Sequence, residues 1–202
     1  RDLGESVMPV QADLLSGQGL DTLPPDIDAV VYSPTPDSRT EEGYHDTFIE
    51  GQRRLSTALG RVARWIFVSS TAVYAQGDGQ WVDEESPTTP ERFNGRALVD
   101  AERSIAAFSA QAITLRLGGI YGPGRGRLIE RVRAGAPCVE EPPQFANRIH
   151  RDDCAAVLAH LLALAAPQTR YIGVDSEPAP MHVVSDWLAD QMKVPCPTRI
   201  DA

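Results

Sequence analysis

Apolar residues gather along this chain in two kinds of pattern. Short unbroken apolar runs occur at Ala29-Val30-Val31-Tyr32, within a strand from Ile27, and at Trp65-Ile66-Phe67-Val68, and strands are also expected at Ile113-Thr114-Leu115-Arg116-Leu117 and Tyr171-Ile172-Gly173-Val174. Runs of this length, bounded by turn formers, predict strands buried on both faces of a sheet. The second run leads through Ser69-Ser70-Thr71-Ala72-Val73 to Tyr74 and is read as one strand over 65–74. A shorter candidate strand, Val7 to Asp13, ends at an aspartate. Elsewhere the apolar residues are spaced by three and four. Tyr44, Phe48, Gly51, Leu55 and Ala58 form one stripe and predict a helix over about 41–59. Leu98, Ala101, Ile105 and Phe108 predict another over about 94–108. Further helices are expected over Leu128–Arg133, from a cap at Asp152 or Asp153 to about Ala165, and over Val183–Met192. Ser16–Asp26 reads as turns and Ala134–Asn147 as irregular.

Strand alternating with helix predicts an α/β fold: a doubly wound, Rossmann-like, mostly parallel sheet with a small C-terminal substrate lobe. Residues 1–121 read as the core. Residues 122–202, with longer irregular segments, read as a lobe that returns to it. In such a sheet ligands bind beyond the carboxyl ends of the strands, where Ser69, Ser70 and Thr71 lie in sequence.

Size and charge narrow the partners. A chain of 202 residues suits one domain with a sizeable core. A formal net charge of −9 argues against nucleic acid or an anionic membrane as a general partner. The longest apolar run, Cys154 to Ala166, is too short to cross a bilayer and contains His160. Cys138, Cys154 and Cys196 have no metal-ligand spacing and read as reduced thiols, which suits a cytoplasmic protein without a metal site.

Four pieces together resemble the extended short-chain dehydrogenase/reductase superfamily, in its NAD-dependent epimerase/dehydratase branch. They are Ala12-Asp13-Leu14, Phe67 to Tyr74, Leu115 to Gly124 and Asn147 to Asp153, in the family's order and approximate spacing. The resemblance implies NAD or NADP as cofactor and a small-molecule substrate, a sugar nucleotide among the candidates. Homodimers built on helices flanking the sheet are common in the family. Residue by residue, it places Asp13 and Leu14 at the adenine, and Ser33, Pro34 and Thr35 along the adenosine ribose and pyrophosphate. Ser69, Leu117, Gly118, Gly119 and Ile120 fall on the cofactor side. Ser70 matches the hydroxyl that bonds a substrate oxygen, and Thr71, Asn147 and Arg148 fall where substrate is met. Plainer readings stay open: Asp13 as a turn cap, Ser70 satisfying a strand end, Tyr74 and Tyr121 as wall residues, His150 as a structural hydrogen-bonding residue.

Two features depart from the family's pattern. The glycine-rich phosphate loop lies between the family's first strand and first helix, and nothing before Asp13 supplies it. The chain starts where the family's second strand ends, so upstream residues are expected in the natural protein. The C-terminus also falls short of the family's usual length. NAD and NADP are not distinguished, because the residue reading the adenosine 2′ position follows that second strand; Arg1, as its tail, would favour a 2′-phosphate. The second departure is chemical. The family's tyrosine and lysine, four residues apart on a helix, align with Asn94 and Leu98. Asparagine does not titrate near neutrality and leucine carries no charge. Tyr74 is the candidate replacement acid. Two functions follow: an epimerase/dehydratase-like oxidoreductase using Ser70, or a catalytically silent dinucleotide-binding sensor acting through a protein partner.

Overall fold

The computed structural model describes residues 7–77 and 79–201, so Arg1 lies outside the described residues. Strand β1 (Ala29–Tyr32) leads into a long helical stretch made of α1 (Glu41–His45), one π turn (Asp46–Glu50) and α2 (Gly51–Leu59). Strand β2 (Val62–Ser70) and a 3-10 turn (Thr71–Val73) precede α3 (Phe93–Ser104), β3 (Ser109–Leu117) and β4 (Gly119–Tyr121). The remainder comprises α4 (Arg127–Arg133), β5 (Cys138–Glu141), β6 (Phe145–Ala146), β7 (Arg148–His150) and α5 (Arg151–Ala163). After these come β8 (Arg170–Gly173), β9 (Ala179–Pro180), α6 (Met181–Met192) and β10 (Arg199–Asp201).

The main sheet runs β1-β2-β3-β8 with every pairing parallel. Side chains alternate along β2, so consecutive apolar residues serve opposite faces. Trp65 and Phe67 join Tyr32, Phe48, Leu98, Ala101 and Phe108 under α3 and the 41–59 helical stretch. Ile66 joins Ile113, Leu115, Leu117 and α5 residues Cys154 and Leu161 on the other face. Trp65, Ile66 and Phe67 are wholly buried, as an unbroken apolar run between two helical layers requires. This is the expected doubly wound α/β sheet. Three small ladders organise the rest: β4–β7 and β5–β10 are parallel, and β6–β9 is antiparallel.

Several expected elements are corrected. Val7–Asp13 forms no strand: among the described residues nothing pairs with it, and extended backbone without a ladder partner does not become sheet. The 65–74 strand begins earlier and stops at Ser70, because the Ser70 hydroxyl accepts from the Ala72 amide and turns the chain into a 3-10 bend. Ala134–Asn147, read as irregular, contains β5 and β6. The helix assigned to an Asp152 or Asp153 cap starts at Arg151 instead, because the His150 ring accepts from the Asp152 amide.

The π turn has a local cause. The Tyr32 hydroxyl donates to the Thr47 carbonyl at 2.5 Å, taking the carbonyl that a widened turn leaves over. A Cβ at Gly51 would stand 2.5 Å from that hydroxyl, so glycine gives the phenol its room. One turn on, the buried Gln52 donates to the Phe48 carbonyl at 2.6 Å and accepts from the Trp65 indole at 3.0 Å.

Gly51→Ala is expected to lower stability by about 1–3 kcal/mol through overpacking against the phenol. Tyr32→Phe costs about 1–3 kcal/mol by orphaning the Thr47 carbonyl. Because both act through the same hydroxyl, the double variant loses less than the sum in urea unfolding.

Candidate functional site

The parallel register brings the carboxyl ends of the sheet together at one edge. Tyr32 lies opposite Phe67, Ser70 opposite Leu117, and Leu117 opposite Gly173. Ser33–Thr35, Ser70–Thr71 and Gly118–Ile120 therefore emerge on the same side. Ser33, Thr35 and Gly119 are exposed, whereas Ser70 and Thr71 are half-buried. The Ser70 hydroxyl accepts from the Ala72 amide at 3.2 Å, which occupies one lone pair. A serine hydroxyl keeps a proton to donate and a second lone pair to accept with.

A second strand pairing attaches the expected substrate segment. In β4–β7, Gly119 lies opposite Arg148, Ile120 opposite Ile149, and Tyr121 opposite His150. The Gly119 amide donates to the Asn147 carbonyl at 2.8 Å, and the Gly118 amide to the Gly173 carbonyl at 3.0 Å. A Cβ at Gly118 would stand 2.7 Å from the Asn147 carbonyl oxygen, so the Gly118-Gly119 pair permits this close passage. Asn147 is exposed and Arg148 half-buried. Burial pulls the Arg148 guanidinium down from its ordinary pKa, with Asp175 and Tyr121 acting in the opposite sense.

Helix α3 reaches the edge at its first turn. A Cβ at Gly95 would lie 2.5 Å from both the Ala72 carbonyl and Pro90, so the helix backbone abuts the Ser70 turn. This sets Asn94 beside that turn, half-buried, while Leu98 is buried in the core. Leu98, expected from the resemblance at the family's lysine position, is thus a packed core residue.

Other expected residues are engaged locally. Asp13 sits on an exposed turn, its carboxylate accepting from the Leu15 amide at 2.8 Å and the Ser16 hydroxyl at 2.7 Å. Its neighbour Leu14 packs against the core. Ser69 is buried and donates to Glu102 at 2.6 Å. The Tyr74 hydroxyl donates to the Asp83 carbonyl at 2.8 Å and accepts from Arg116 at 2.7 Å. Sequence reasoning passed over Glu102 and Arg116. The signal was there: an arginine inside an apolar strand, which when buried needs a partner. Among the described residues, no group of three or more His, Cys, Asp or Glu is placed to hold a metal ion, and no helix is long and apolar enough to cross a membrane.

The sequence profile of the NAD dependent epimerase/dehydratase family matches residues 4–170. The chain belongs to that family. Protein YeeZ of Escherichia coli (strain K12) is 31% identical over 151 residues, covering 73% of this chain and 52% of YeeZ. The chain thus spans about half the length of that relative. Among solved structures, a Methylobacillus flagellatus protein assigned by name to the NAD-dependent epimerase/dehydratases superposes with a TM-score of 0.78 at 32% identity. The match covers 98% of this chain and 72% of the other. The UDP-glucuronic acid 4-epimerase from Bacillus cereus, solved with NAD, shares the fold at a TM-score of 0.77 and 19% identity, covering 94% of this chain and 67% of that one.

Two outcomes check this geometry. The Arg116 and Glu102 side chains are 2% and 8% exposed, so replacing either alone with an apolar residue leaves an unpaired buried charge. Arg116→Met or Glu102→Leu alone should cost about 3–5 kcal/mol in denaturant unfolding, and the pair together less. Asp13 gives the second check. Its bond from the Ser16 hydroxyl, then those from the Leu15 and Ser16 amides, hold the carboxyl below its ordinary range. A carboxyl depressed in the folded state stabilises above its unfolded pKa, about 3.9, and loses that contribution as pH falls through the folded value. The turn should stay closed from neutrality down past pH ~4 and open only below it, as read by NMR titration of the Asp13 carboxyl.

Proposed function

We propose that this chain binds NAD or NADP across the carboxyl edge of its sheet and serves an epimerase/dehydratase-like oxidoreductase. Its substrate is a small carbonyl or alcohol, with a sugar nucleotide as the leading class. The observation carrying this reading is the convergence of Ser70, Gly118–Ile120 and Asn147–Arg148, through the Ser70–Leu117 and Gly119–Arg148 register pairs, at one sheet edge. Family membership supports the cofactor class. The Bacillus cereus relative, named for a UDP-sugar and solved with NAD, supports the substrate class.

The residues present fit such a cofactor on the nicotinamide side. Gly118 packs against the Asn147 carbonyl, and the exposed Gly119 next to it presents backbone with no side chain, near the half-buried Ser70. When bound, the nicotinamide accepts or returns a hydride. Ser70 would donate its hydroxyl proton as a hydrogen bond to the substrate oxygen and orient the carbon that carries the hydride. Thr71, Asn147 and Arg148 would hold the distal part of the substrate, Arg148 offering a cation to a phosphate or carboxylate. Ser33, Pro34 and Thr35 would lie along the adenosine half, with Asp13 and Leu14 at its far end. Asn94 stands in the position of the family's tyrosine and can hydrogen-bond without moving a proton.

A second reading, a dinucleotide sensor without turnover, is supported by the buried Leu98 and the doubly bonded Tyr74 hydroxyl. One experiment separates the two. NAD(H) and NADP(H) are titrated into the protein while nicotinamide fluorescence and melting temperature are followed. Turnover is then assayed across sugar nucleotides, simple carbonyls and alcohols. Binding at 100 times Kd raises stability by about 2.7 kcal/mol. For the enzyme, Ser70→Ala cuts kcat by roughly 10²-fold and leaves cofactor affinity nearly unchanged. Tight binding with no turnover on any substrate favours the sensor, and no stabilisation by either dinucleotide sinks both.

A further inference from the structure

A connected set of buried polar side chains lies beneath the Ser70 edge. Arg116 on β3 and Glu102 on α3 form a two-pronged pair, with Nη2–Oε2 at 2.6 Å and Nε–Oε1 at 3.1 Å. The same Glu102 Oε1 accepts from the Ser69 hydroxyl. Arg116 Nη1 donates to the Tyr74 hydroxyl at 2.7 Å and to the Glu84 carbonyl at 3.4 Å. The guanidinium also lies 5.1 Å from the centre of the Tyr74 ring. From Tyr74 the bonding passes to the Asp83 carbonyl. The acidic loop then crosses to the end of the sheet. Arg170 donates to the Glu84 carbonyl at 2.8 Å, and the Glu84 carboxylate accepts from the Ile172 amide at 2.9 Å. The carboxylate takes the place a neighbouring strand's carbonyl would have beside β8.

Ser69 and Tyr74 bracket the turn that carries Ser70. Glu102 holds the entrance of that turn and Arg116 its exit. We infer that Glu102, Arg116 and Tyr74 act as one positioning unit, aiming the Ser70 hydroxyl and strapping the Asp83–Glu85 loop over β8. The Tyr74 phenol belongs to this unit as a positioning residue, not as a replacement proton carrier. Its hydroxyl both accepts and donates, so no donor proton remains for a substrate. Burial raises the Tyr74 pKa, with Arg116 pulling the other way, which keeps the phenol protonated at neutral pH. Charged bonds in a dry site are strong and directional, so the pair fixes geometry that an exposed pair would leave loose. Only the identity of what Ser70 meets rests on the proposed function; the strapping does not.

Amide exchange of Tyr74→Phe, measured without any cofactor, tests the unit directly. Exchange should quicken at least tenfold in peptides covering 70–74 and 83–86, while peptides over 62–68 and 113–117 keep their wild-type protection. Unchanged exchange overturns the inference. A uniform rise across all four peptides also overturns it, because general loss of stability would produce that. If Tyr74→Phe does not fold, Ser69→Ala probes the link at the other end of the turn, with faster exchange expected at 70–74. A turnover assay supplies the readout that a purely structural role would not move. Tyr74→Phe should lower kcat with the pH profile unchanged in shape, and loss of one limb of that profile would make Tyr74 the proton carrier and overturn the assignment. A wild-type protein that binds neither dinucleotide would fell the proposed function while leaving the exchange result to stand or fall alone.

Discussion

A charge buried inside a parallel sheet constrains this molecule more than any apolar contact does. Arg116 comes from the C-terminal end of β3, between Leu115 and Leu117, with almost none of its side chain in water. Such a group is tolerable only with a counter-charge and with its remaining donors satisfied. Glu102 supplies the counter-charge from α3, and the Tyr74 hydroxyl and Glu84 carbonyl take the last nitrogen. The need to neutralise one guanidinium therefore ties together a central strand, the helix over it, the turn after β2 and an acidic surface loop. Those are the parts that build the candidate site.

Farther along the same face of the sheet, the core is held by shape instead of charge. Tyr32, Phe48, Trp65 and Phe67 pack in contact, with Tyr32 and Trp65 ring centres 6.1 Å apart and Phe48 and Phe67 5.9 Å apart. Two polar atoms in this cluster could not be buried unpaired. The Trp65 indole finds Gln52, and the Tyr32 phenol finds the Thr47 carbonyl in the widened turn. The irregularity in the helix is thus the consequence of inserting a hydroxyl, and Gly51 is the residue that makes the insertion sterically possible.

Between these two regions the sheet edge collects small and hydroxyl-bearing residues: Ser33, Thr35, Ser70, Thr71, Gly118 and Gly119. Glycines let backbone pass close to backbone at Gly118 and Gly95, and that closeness sets Asn147 against the strand end after β3 and α3 against the serine turn. Helix α3 retains its inward face although the residues aligned with the family's acid/base pair are an asparagine and a leucine. A packed leucine contributes burial where a lysine would need a partner, so α3 keeps its contact with the core.

Periodicity pointed to the doubly wound sheet, its four strands and the helices of the two stripes, because alternation and three-four spacing are local records of which face is buried. The pattern also marked Ser69, Ser70 and Thr71 as an edge, while Gly118 and Gly119 were singled out by the family resemblance. Pairing partners are not recorded locally, and there the reading failed. Val7–Asp13 has strand composition but, among the described residues, no strand beside it to pair with, and the strand through Ser70 ends where one hydroxyl captures an amide two residues on. Nor could spacing reveal that Glu102 meets Arg116, or that Tyr74 bonds to Arg116 rather than facing the edge. Those contacts join residues 14 and 42 positions apart, and only the packing of α3 and the Ser70 turn onto β3 brings them within reach.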